Sequence, residues 1–395
     1  MNIKQINKQQ LITYGIIGIA AYLIVSGISF GLFSYLGRSG SRVLITSPIS
    51  PGTQGHFVVD PNAPKTEMCP LNGQYFTKQE ADIWAKRRPL AVMIENHAEA
   101  RPQSGLSSAD VVYEAVAEGG ITRFMGVFYC GAASPLTLAP VRSARTNFLP
   151  WVLEYDALYN HVGGAGNCND PTVDERAKAL CQIEQWGIKD MDQFGISFPT
   201  CYRNYDRLDH PVATEHTMVC FSDKLYKLAS ERGWTNVDAK GVAWDKNFVP
   251  WTFKDDAKEA DRGASFSASF VSWKGYESDY GVRWDYDRTT NSYKRFNGGK
   301  PHLDLETKQQ LTAKVVVMLF AKETGPVDEH LHLLYANVGS DTMMVFQDGK
   351  VIKGTWSKPS RTSRTKLYDA NGREIAFNRG QVWIEMVPTG TPVNY

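Results

Sequence analysis

Glu118-Gly119-Gly120-Ile121-Thr122-Arg123 begins the stretch that organises this chain, and Pro140-Val141-Arg142-Ser143-Ala144-Arg145-Thr146 ends it. Between these two segments, residues 124–129 form an apolar run with the Phe, Val and Tyr content of a β-strand. Residues 136–141 form a second candidate strand. We predict that these two strands pair as a hairpin, which places one basic loop at each of its ends.

The arginines of these loops predict an anion-binding site. Arg142 and Arg145 fall where a strand gives way to a helix, and the free backbone N–H groups of a helix start favour anions. Guanidinium groups bind phosphate and carboxylate through paired hydrogen bonds, so Arg123 and the hydroxyl of Ser143 would complete the site. In the competing interpretation the arginines form ion pairs with nearby carboxylates, namely those of Glu114, Glu118 and Glu154.

The N-terminus predicts attachment to a membrane. Residues 11–36 contain no charged side chain, and 26 residues make a helix of about 39 Å, long enough to cross a bilayer. We therefore expect a cytoplasmic segment at residues 1–10, a single-pass transmembrane anchor at 11–36 and a stalk rich in Ser, Pro and Gly at 37–76. Everything after the anchor would be extracytoplasmic. A cleaved signal peptide is the less favoured alternative, because its apolar core is shorter.

Composition narrows the remaining classes of protein. The chain has 43 basic and 42 acidic residues, which does not favour a nucleic-acid partner. Its six cysteines form an even set in a chain expected to be exported, so disulfides are allowed. All six precede residue 221, and any bridges would therefore stabilise only the first domain.

Hydrophobic periodicity predicts an α+β protein with two domains. Residues 77–235 interleave strands with helices, and Thr77-Lys78-Gln79-Glu80 has the spacing of a helix capping box. Residues 236–395 contain recurrent short β-rich runs separated by tight-turn sequences such as Asp348-Gly349, which predicts a mostly antiparallel β domain. In the first domain we expect strands at 90–95, 110–116, 157–161 and 216–221, and helices at 147–155, 170–186 and 223–232. In the second we expect strands at 266–273, 282–286, 293–296, 313–319, 331–335, 342–347, 351–356, 365–368 and 382–386.

Several of these motifs resemble the YerB-like family of bacterial envelope proteins, which are often lipoproteins and have two domains of unknown function. The resemblance covers roughly residues 88–390. It implies an envelope location and a two-domain fold, and it implies no agreed reaction. This chain has a hydrophobic segment where many family members have a lipid-modified cysteine, and it also departs from the family pattern at 202–216. The resemblance is carried by residues 100–106, 109–114, 118–123, 142–145, 297–298, His302, Asp304, 354–356 and 380–384.

The order of motifs also allows an enzymatic interpretation. The chain is similar in arrangement to the LytR–CpsA–Psr envelope transferases. Its motifs follow the order strand, Asp, strand, arginine-containing loop, helix and then the Gly-Gly of His161-Val162-Gly163-Gly164. That similarity implies phosphoryl transfer, with Mg²⁺ held by carboxylates such as Asp110. In the ligand-binding interpretation, His161 contacts the anion and the two glycines allow its close approach.

Other chemistries have weaker signals. Asp110, Glu114 and Glu118 are four residues apart and would share one face of a strand, as an acid–base set for hydrolysis or as counter-ions of the arginines. His330 and His332 lack an evident third ligand and are expected in a solvated loop, so no metal site is predicted. His97 is expected to line a pocket or to cap a helix. A third possibility is a non-enzymatic scaffold that binds glycan or protein through Trp251, Trp273, Trp284, Trp356 and Trp383.

Overall fold

The computed structural model describes residues 62–395. The predicted cytoplasmic segment 1–10, the anchor 11–36 and the stalk up to residue 61 lie outside the described residues. Within 62–395, the structure contains no helix that is both long enough and apolar enough to span a bilayer. Strands predominate over helices in a mixed α and β fold, as the sequence predicts.

The first half of the described chain alternates strands with short helices. In order, it contains β1 (Lys65–Met68), β2 (Tyr75–Thr77), α1 (Lys78–Trp84), β3 (Leu90–Glu95), β4 (Val111–Glu118), β5 (Ile121–Phe128), β6 (Thr137–Leu138), α2 (Leu149–Glu154), β7 (Leu158–His161), α3 (Ala179–Gln185), β8 (Lys189–Asp192), β9 (Cys201–Arg203), β10 (Met218–Phe221) and α4 (Ser222–Glu231). Single 3₁₀ turns lie at Ala98–Ala100, Leu106–Ser108, Thr146–Phe148, Gln193–Gly195 and Thr214–His216.

The regular elements of the second half are almost all strands. It contains β11 (Phe253–Lys254), β12 (Ser267–Phe270), α5 (Glu277–Tyr280), β13 (Val282–Asp287), β14 (Ser292–Asn297), β15 (Lys300–Pro301), β16 (Thr312–Ala313), β17 (Val315–Ala321), β18 (Glu323–Thr324), β19 (Leu334–Tyr335), β20 (Gly339–Gln347), β21 (Lys350–Lys358), β22 (Lys366–Asp369), β23 (Phe377–Asn378) and β24 (Val382–Pro388). One further 3₁₀ turn lies at Glu259–Asp261.

A ten-stranded sheet joins the two halves of the sequence. Its order is β22-β21-β20-β17-β24-β4-β5-β3-β7-β8. β24 lies parallel to both β17 and β4, so the last strand of the chain connects the two halves. The domain boundary predicted near residue 235 does not divide this sheet, because strands from both sides of that residue pair within it. The antiparallel pairing expected of the second half is present from β17 through β20 and β21 to β22. The pair formed by β17 and β24 is parallel.

Alternation along the central strands places a hydrophobic core on each face of this sheet. In β17, Val315 and Val317 face one core while Val316 and Met318 face the other. All seven residues of β17 are buried, as expected for an interior strand covered on both faces. One face carries α2, and the other carries the small sheet β12-β13-β14-β15.

The hairpin predicted around the apolar run is wrong. β5 pairs with β4 on one side and with β3 on the other, so both of its edges are occupied. The second predicted arm contributes only β6, which pairs with β10. The actual hairpin turn is Gly119-Gly120, where both residues have positive φ and a Cβ on Gly120 would lie 2.7 Å from the Tyr276 ring.

Of three further predictions for the first half of the chain, one is confirmed, one is wrong and one holds only in part. The capping box of Thr77 and Glu80 is present at the start of α1. The predicted stalk is wrong for its described part, because β1 and β2 form a hairpin and Leu71 is fully buried. The helix expected at 170–186 is confined to α3, since 170–178 forms a series of turns.

All six cysteines form disulfides, and all three bridges lie within the first half of the chain. Disulfides are consistent with the expected export of the chain. The bridges are Cys69–Cys130, Cys168–Cys181 and Cys201–Cys220. The first attaches the N-terminal hairpin to the end of β5, and the third joins neighbouring strands β9 and β10.

Candidate functional site

Two arginines of the predicted site surround a single carboxylate. Glu118, at the end of β4, accepts hydrogen bonds from Arg123 through one oxygen and from Arg145 Nε through the other, the latter at 2.8 Å. Burial raises the pKa of Glu118, but the charges of Arg123 and Arg145 outweigh it and lower the pKa to about 2. Burial, together with Arg145 and Arg142, lowers the pKa of Arg123 to about 9. Positive charge is therefore in excess around Glu118.

The third arginine pairs with a carboxylate that the sequence did not suggest. Arg142 Nε donates to Glu95 Oε1 at 3.1 Å, and the other oxygen of Glu95 accepts from His216 Nδ1 at 2.8 Å. That hydrogen bond raises the pKa of His216. Arg142 keeps 27% of its side chain exposed, against 12% for Arg145 and 3% for Arg123. Arg142 and Arg145 are thus the two arginines of the cluster that reach solvent.

Backbone pairing brings the glycine segment to the arginine loop. Ala144 N–H donates to Gly163 O at 2.9 Å, and Ala144 and Gly164 form a parallel bridge. Ser143 contributes its carbonyl oxygen, which accepts from Arg123 at 2.7 Å. A side chain on Gly164 would meet Leu180 and Ala144, so the close approach that this glycine permits is to protein.

His161 lies beneath this loop and has no solvent exposure. Its Nδ1 contacts Gly163 O at 2.8 Å and its Nε2 contacts Asp190 Oδ1 at 2.9 Å. Both ring nitrogens therefore have protein partners. The expected contact between His161 and a ligand has no support in this geometry, and His161 is a buried support of the 161–164 segment.

Asp110, Glu114 and Glu118, which the sequence predicts on one face of a strand, do not lie on one face of the sheet. A β-bulge between Val116 and Glu118 interrupts the alternation of β4. Glu114 accepts from Thr122 Oγ1 at 2.7 Å on one face of the sheet, whereas Glu118 contacts Arg123 on the other. The predicted acid–base set is therefore not assembled, and of these three acids only Glu118 is a counter-ion of the cluster.

Asp110 lies at the opposite end of β4 from Glu118. Its carboxylate accepts hydrogen bonds from the backbone N–H groups of Tyr129, Cys130 and Gly131 and from the Asn72 side chain. Burial raises the pKa of Asp110 to about 7, against the effect of these backbone hydrogen bonds. Because its oxygens are occupied and it is 1% exposed, Asp110 is a structural group at the start of the strand.

Glu114 belongs to a buried polar network between the central and the small sheets. Arg295 donates to Glu114 and, at 2.7 Å, to Glu385 Oε1. Arg295 Nε also donates to His302 Nδ1 at 3.0 Å, so the neutral His302 carries its proton on Nε2 and donates to Gln103 Oε1 at 2.7 Å. Burial and Arg295 lower the pKa of His302 well below its usual range.

A cavity of about 290 Å³ adjoins this network. Arg101 borders it and donates to Asn96, which also accepts from Asn297 at 2.8 Å. Arg101, Gln103, Asn297 and His302 are all within the motifs that carried the family resemblance, so those motifs were the available signal for the network. Arg295, Glu385 and Asn96 had no sequence signal, because they meet only through tertiary pairing.

The remaining candidates occupy structural positions. Glu154 is buried with Lys358 and Arg364 and does not contact the arginine loops. His332 bonds Asp328 at 2.8 Å, and His97 is the N-cap of the turn Ala98–Ala100, as one of the two expectations for it stated. Four of the five tryptophans considered for the scaffold are at most 3% exposed and pack in the cores: Trp251, Trp284, Trp356 and Trp383.

Comparisons with known proteins match nearly the whole described chain. Residues 76–235 match the family model described as "Protein of unknown function (DUF3048) N-terminal domain", and residues 271–384 match the corresponding C-terminal domain. A curated relative, "Putative lipoprotein YerB" of Bacillus subtilis (strain 168), is 28% identical over 338 residues, which cover 83% of this chain and 88% of the relative. The crystal structure of YerB from Bacillus subtilis has a TM-score of 0.66 at 24% identity, covers 84% of this chain and 100% of that chain, and has the same fold.

Proposed function

Because the chain belongs to the YerB-like family of two-domain proteins, we propose that it is an extracytoplasmic envelope protein that binds an anionic ligand at Arg142 and Arg145. The apolar segment 11–36 would anchor it in the cell membrane. The ligand class is a phosphate- or carboxylate-bearing component of the envelope.

The proposed location is supported by the cysteines and by the relative. All three disulfides are of the kind that persists in oxidising compartments outside the cytoplasm. The similar Bacillus subtilis protein carries the name of a lipoprotein, a class held at membranes by a lipid. An apolar helix would give this chain the equivalent attachment.

The observation that carries the ligand proposal is the sharing of Glu118 by two guanidinium groups. Arg123 and Arg145 together carry one more positive charge than Glu118 neutralises. Arg142 adds a third positive charge, and its own partner Glu95 is also bonded to His216. A bound anion would balance this excess through charge-assisted hydrogen bonds.

The roles within the cluster differ by exposure. Arg142 and Arg145 would contact the anion directly, because their side chains reach solvent. Arg123 is almost fully buried and bonded to Glu118 and Ser143, so it would act by positioning Glu118 and the loop. His161 has no part in binding in this proposal.

Isothermal titration calorimetry of the full-length protein with inorganic pyrophosphate, and separately with citrate, tests the proposal. Arg142→Ala and Arg145→Ala should each weaken binding by about tenfold or more, since a charge-assisted hydrogen bond contributes about 1.5–3 kcal/mol. Arg176→Ala is the matched control, because Arg176 is 61% exposed and pairs with Asp174 in the same half of the chain. Equal affinity for wild type and both variants would overturn the site.

The two alternatives have less support. The transferase hypothesis needs a magnesium ligand, and the hydrogen bonds on Asp110 occupy the carboxylate considered for it. The scaffold hypothesis needs exposed aromatic side chains, whereas the tryptophans considered for it are mostly in the cores. A turnover assay with lipid-linked glycopolymer and Mg²⁺, reading released phosphate, separates the transferase from the binding protein.

A further inference from the structure

A second cluster of potential ligands lies beside the arginine loop, and it involves His97, Glu99 and His216. One side-chain ligand atom from each lies within 4.8 Å of the other two. Glu95 connects this cluster to Arg142, since its two oxygens accept from Arg142 and from His216. We propose that His97, Glu99 and His216 bind a divalent transition-metal ion, with zinc as the best match. This inference does not depend on anion binding by the arginines.

His216 has the orientation that a metal ligand requires. Its Nδ1–H donates to Glu95 Oε2 at 2.8 Å, and both side chains are only 5% exposed. In the neutral ring the lone pair is therefore on Nε2, which lies 3.7 Å from Glu99 Oε2. A carboxylate that holds one ring nitrogen while the other binds the ion is the usual support of a metal-binding histidine.

His97 and Glu99 supply the other two ligands from one short turn. His97 caps the turn Ala98–Ala100, with Nδ1 accepting from Glu99 N–H at 3.3 Å. That bond is long, so an ion can replace it at the same lone pair. The rings of His97 and His216 are stacked, with centroids 4.9 Å apart and an angle of 12° between their planes. Both rings are therefore already adjacent before an ion binds.

Binding requires the ligand atoms to move closer together and one imidazole ring to rotate, because an ion lies in the plane of each ring that binds it and the two planes are nearly parallel. Ligand atoms about 2.0–2.2 Å from a tetrahedral zinc ion are roughly 3.3 Å apart. The Glu99 side chain is 66% exposed, so rotation of its carboxylate can supply much of the movement. Three protein ligands leave one tetrahedral position for water or for another ligand.

The donor set and the local charge favour zinc over magnesium or calcium. Two imidazoles and one carboxylate suit zinc, whereas the two hard cations prefer oxygen ligands. Glu95 and Glu99 provide negative charge beside the ion, and Arg142 offsets the charge of Glu95. The other candidate group, Cys69, Asp110 and Cys130, is excluded because its two sulfurs form a disulfide.

Calorimetric titration of metal-free, full-length protein with ZnCl₂ tests the site, and absorption spectra with Co²⁺ report coordination geometry. We expect one zinc ion to bind per chain. His97→Ala and His216→Ala should each weaken zinc binding by at least about 100-fold, because loss of a direct ligand should cost more than loss of an outer-shell partner. Glu99→Gln should weaken it by about tenfold or more. Because Glu99 is largely exposed, that variant separates loss of a ligand from misfolding.

His330→Ala is the matched control, since His330 is an exposed histidine that bonds Thr172 away from this cluster. It should bind zinc with wild-type affinity and give an unchanged Co²⁺ spectrum. Absence of stoichiometric zinc binding would overturn the proposal. The proposal would also be overturned if Glu99→Gln and His97→Ala both bound zinc with wild-type affinity while their circular-dichroism spectra showed that they were folded.

Discussion

Glu114 and Glu385 are register partners on adjacent parallel strands, and the buried guanidinium of Arg295 donates to both carboxyl groups. Burial and the neighbouring Glu114 raise the pKa of Glu385 well above its usual range. A raised pKa favours the protonated form of Glu385, and Arg295 is the cation that both carboxyl groups contact. This arrangement joins β4, β14 and β24 at the centre of the molecule.

Glu385→Gln should consequently change stability little, by about 1 kcal/mol or less, because an uncharged amide replaces an uncharged carboxyl group. Arg295→Met should destabilise by about 3–5 kcal/mol, because it leaves two buried carboxyl groups without the cation that they share. Urea denaturation at neutral pH measures both. Arg283→Met is the control, since Arg283 is 41% exposed on neighbouring β13 and should contribute about 1 kcal/mol or less. A loss in Glu385→Gln as large as in Arg295→Met would show that Glu385 is ionised.

Glu118 should make the protein sensitive to acid. Its pKa in the fold is about 2, below the ordinary value of 4.5, so its contribution is present above about pH 4.5 and is lost as pH falls toward 2. The full contribution is roughly 3 kcal/mol. Denaturation midpoints at about pH 5 and about pH 3 should therefore differ less in Glu118→Gln than in wild type.

The comparison for this experiment is Glu175→Gln. Glu175 also pairs with a cation, Lys178, but its side chain is 82% exposed. Its loss should leave the acid dependence unchanged, because exposed ion pairs contribute little. Equal acid dependence in wild type and Glu118→Gln would contradict the burial and pairing described for Glu118.

Asp110 should have the opposite pH dependence. Its pKa is raised from 3.8 to about 7, so the stability it contributes is full below about pH 4 and declines as pH rises toward 7. The decline is at most about 1.4 kcal/mol per pH unit. Asp110→Asn should remove this slope when thermal midpoints are compared between about pH 5 and about pH 8. An unchanged slope in the variant would mean that Asp110 is ionised throughout this range.

The disulfides should differ in their contribution to stability. Cys69–Cys130 closes a loop of 61 residues and Cys168–Cys181 one of 13. Loop entropy predicts losses of about 4 and about 3 kcal/mol when each pair is replaced by serine. Urea midpoints of the two double variants, measured without reductant, test the order. The reverse order would show that native contacts of the bridges outweigh loop length.

Local patterns in the sequence were sufficient for features that depend on neighbouring residues. The alternation in 282–286 located β13, and the capping box located α1. The turn expected at Asp348-Gly349 is present, with positive φ at both residues. Each of these depends on a few consecutive side chains, whose conformational preferences are readable directly.

Features that depend on tertiary pairing could not be predicted in this way. The apolar run of β5 has the same strand chemistry whichever strands lie beside it, so its pairing with β3 and β4 was missed. The partner of Arg142 is Glu95, which lies 47 residues earlier at the end of β3. The bulge in β4 placed Glu118 on the face opposite Glu114, and no local residue pattern announced it.

The position of β24 also constrains how the protein is made. This strand is synthesised after all the other strands described here, yet it lies between β17 and β4 in the interior of the sheet. Until β24 has been synthesised, β4 and β17 each have an unpaired edge, the kind that recruits strands from other chains. A premature stop codon shortly before residue 382 would therefore remove the strand that connects the two halves of the sheet and leave the edges of β4 and β17 prone to aggregation.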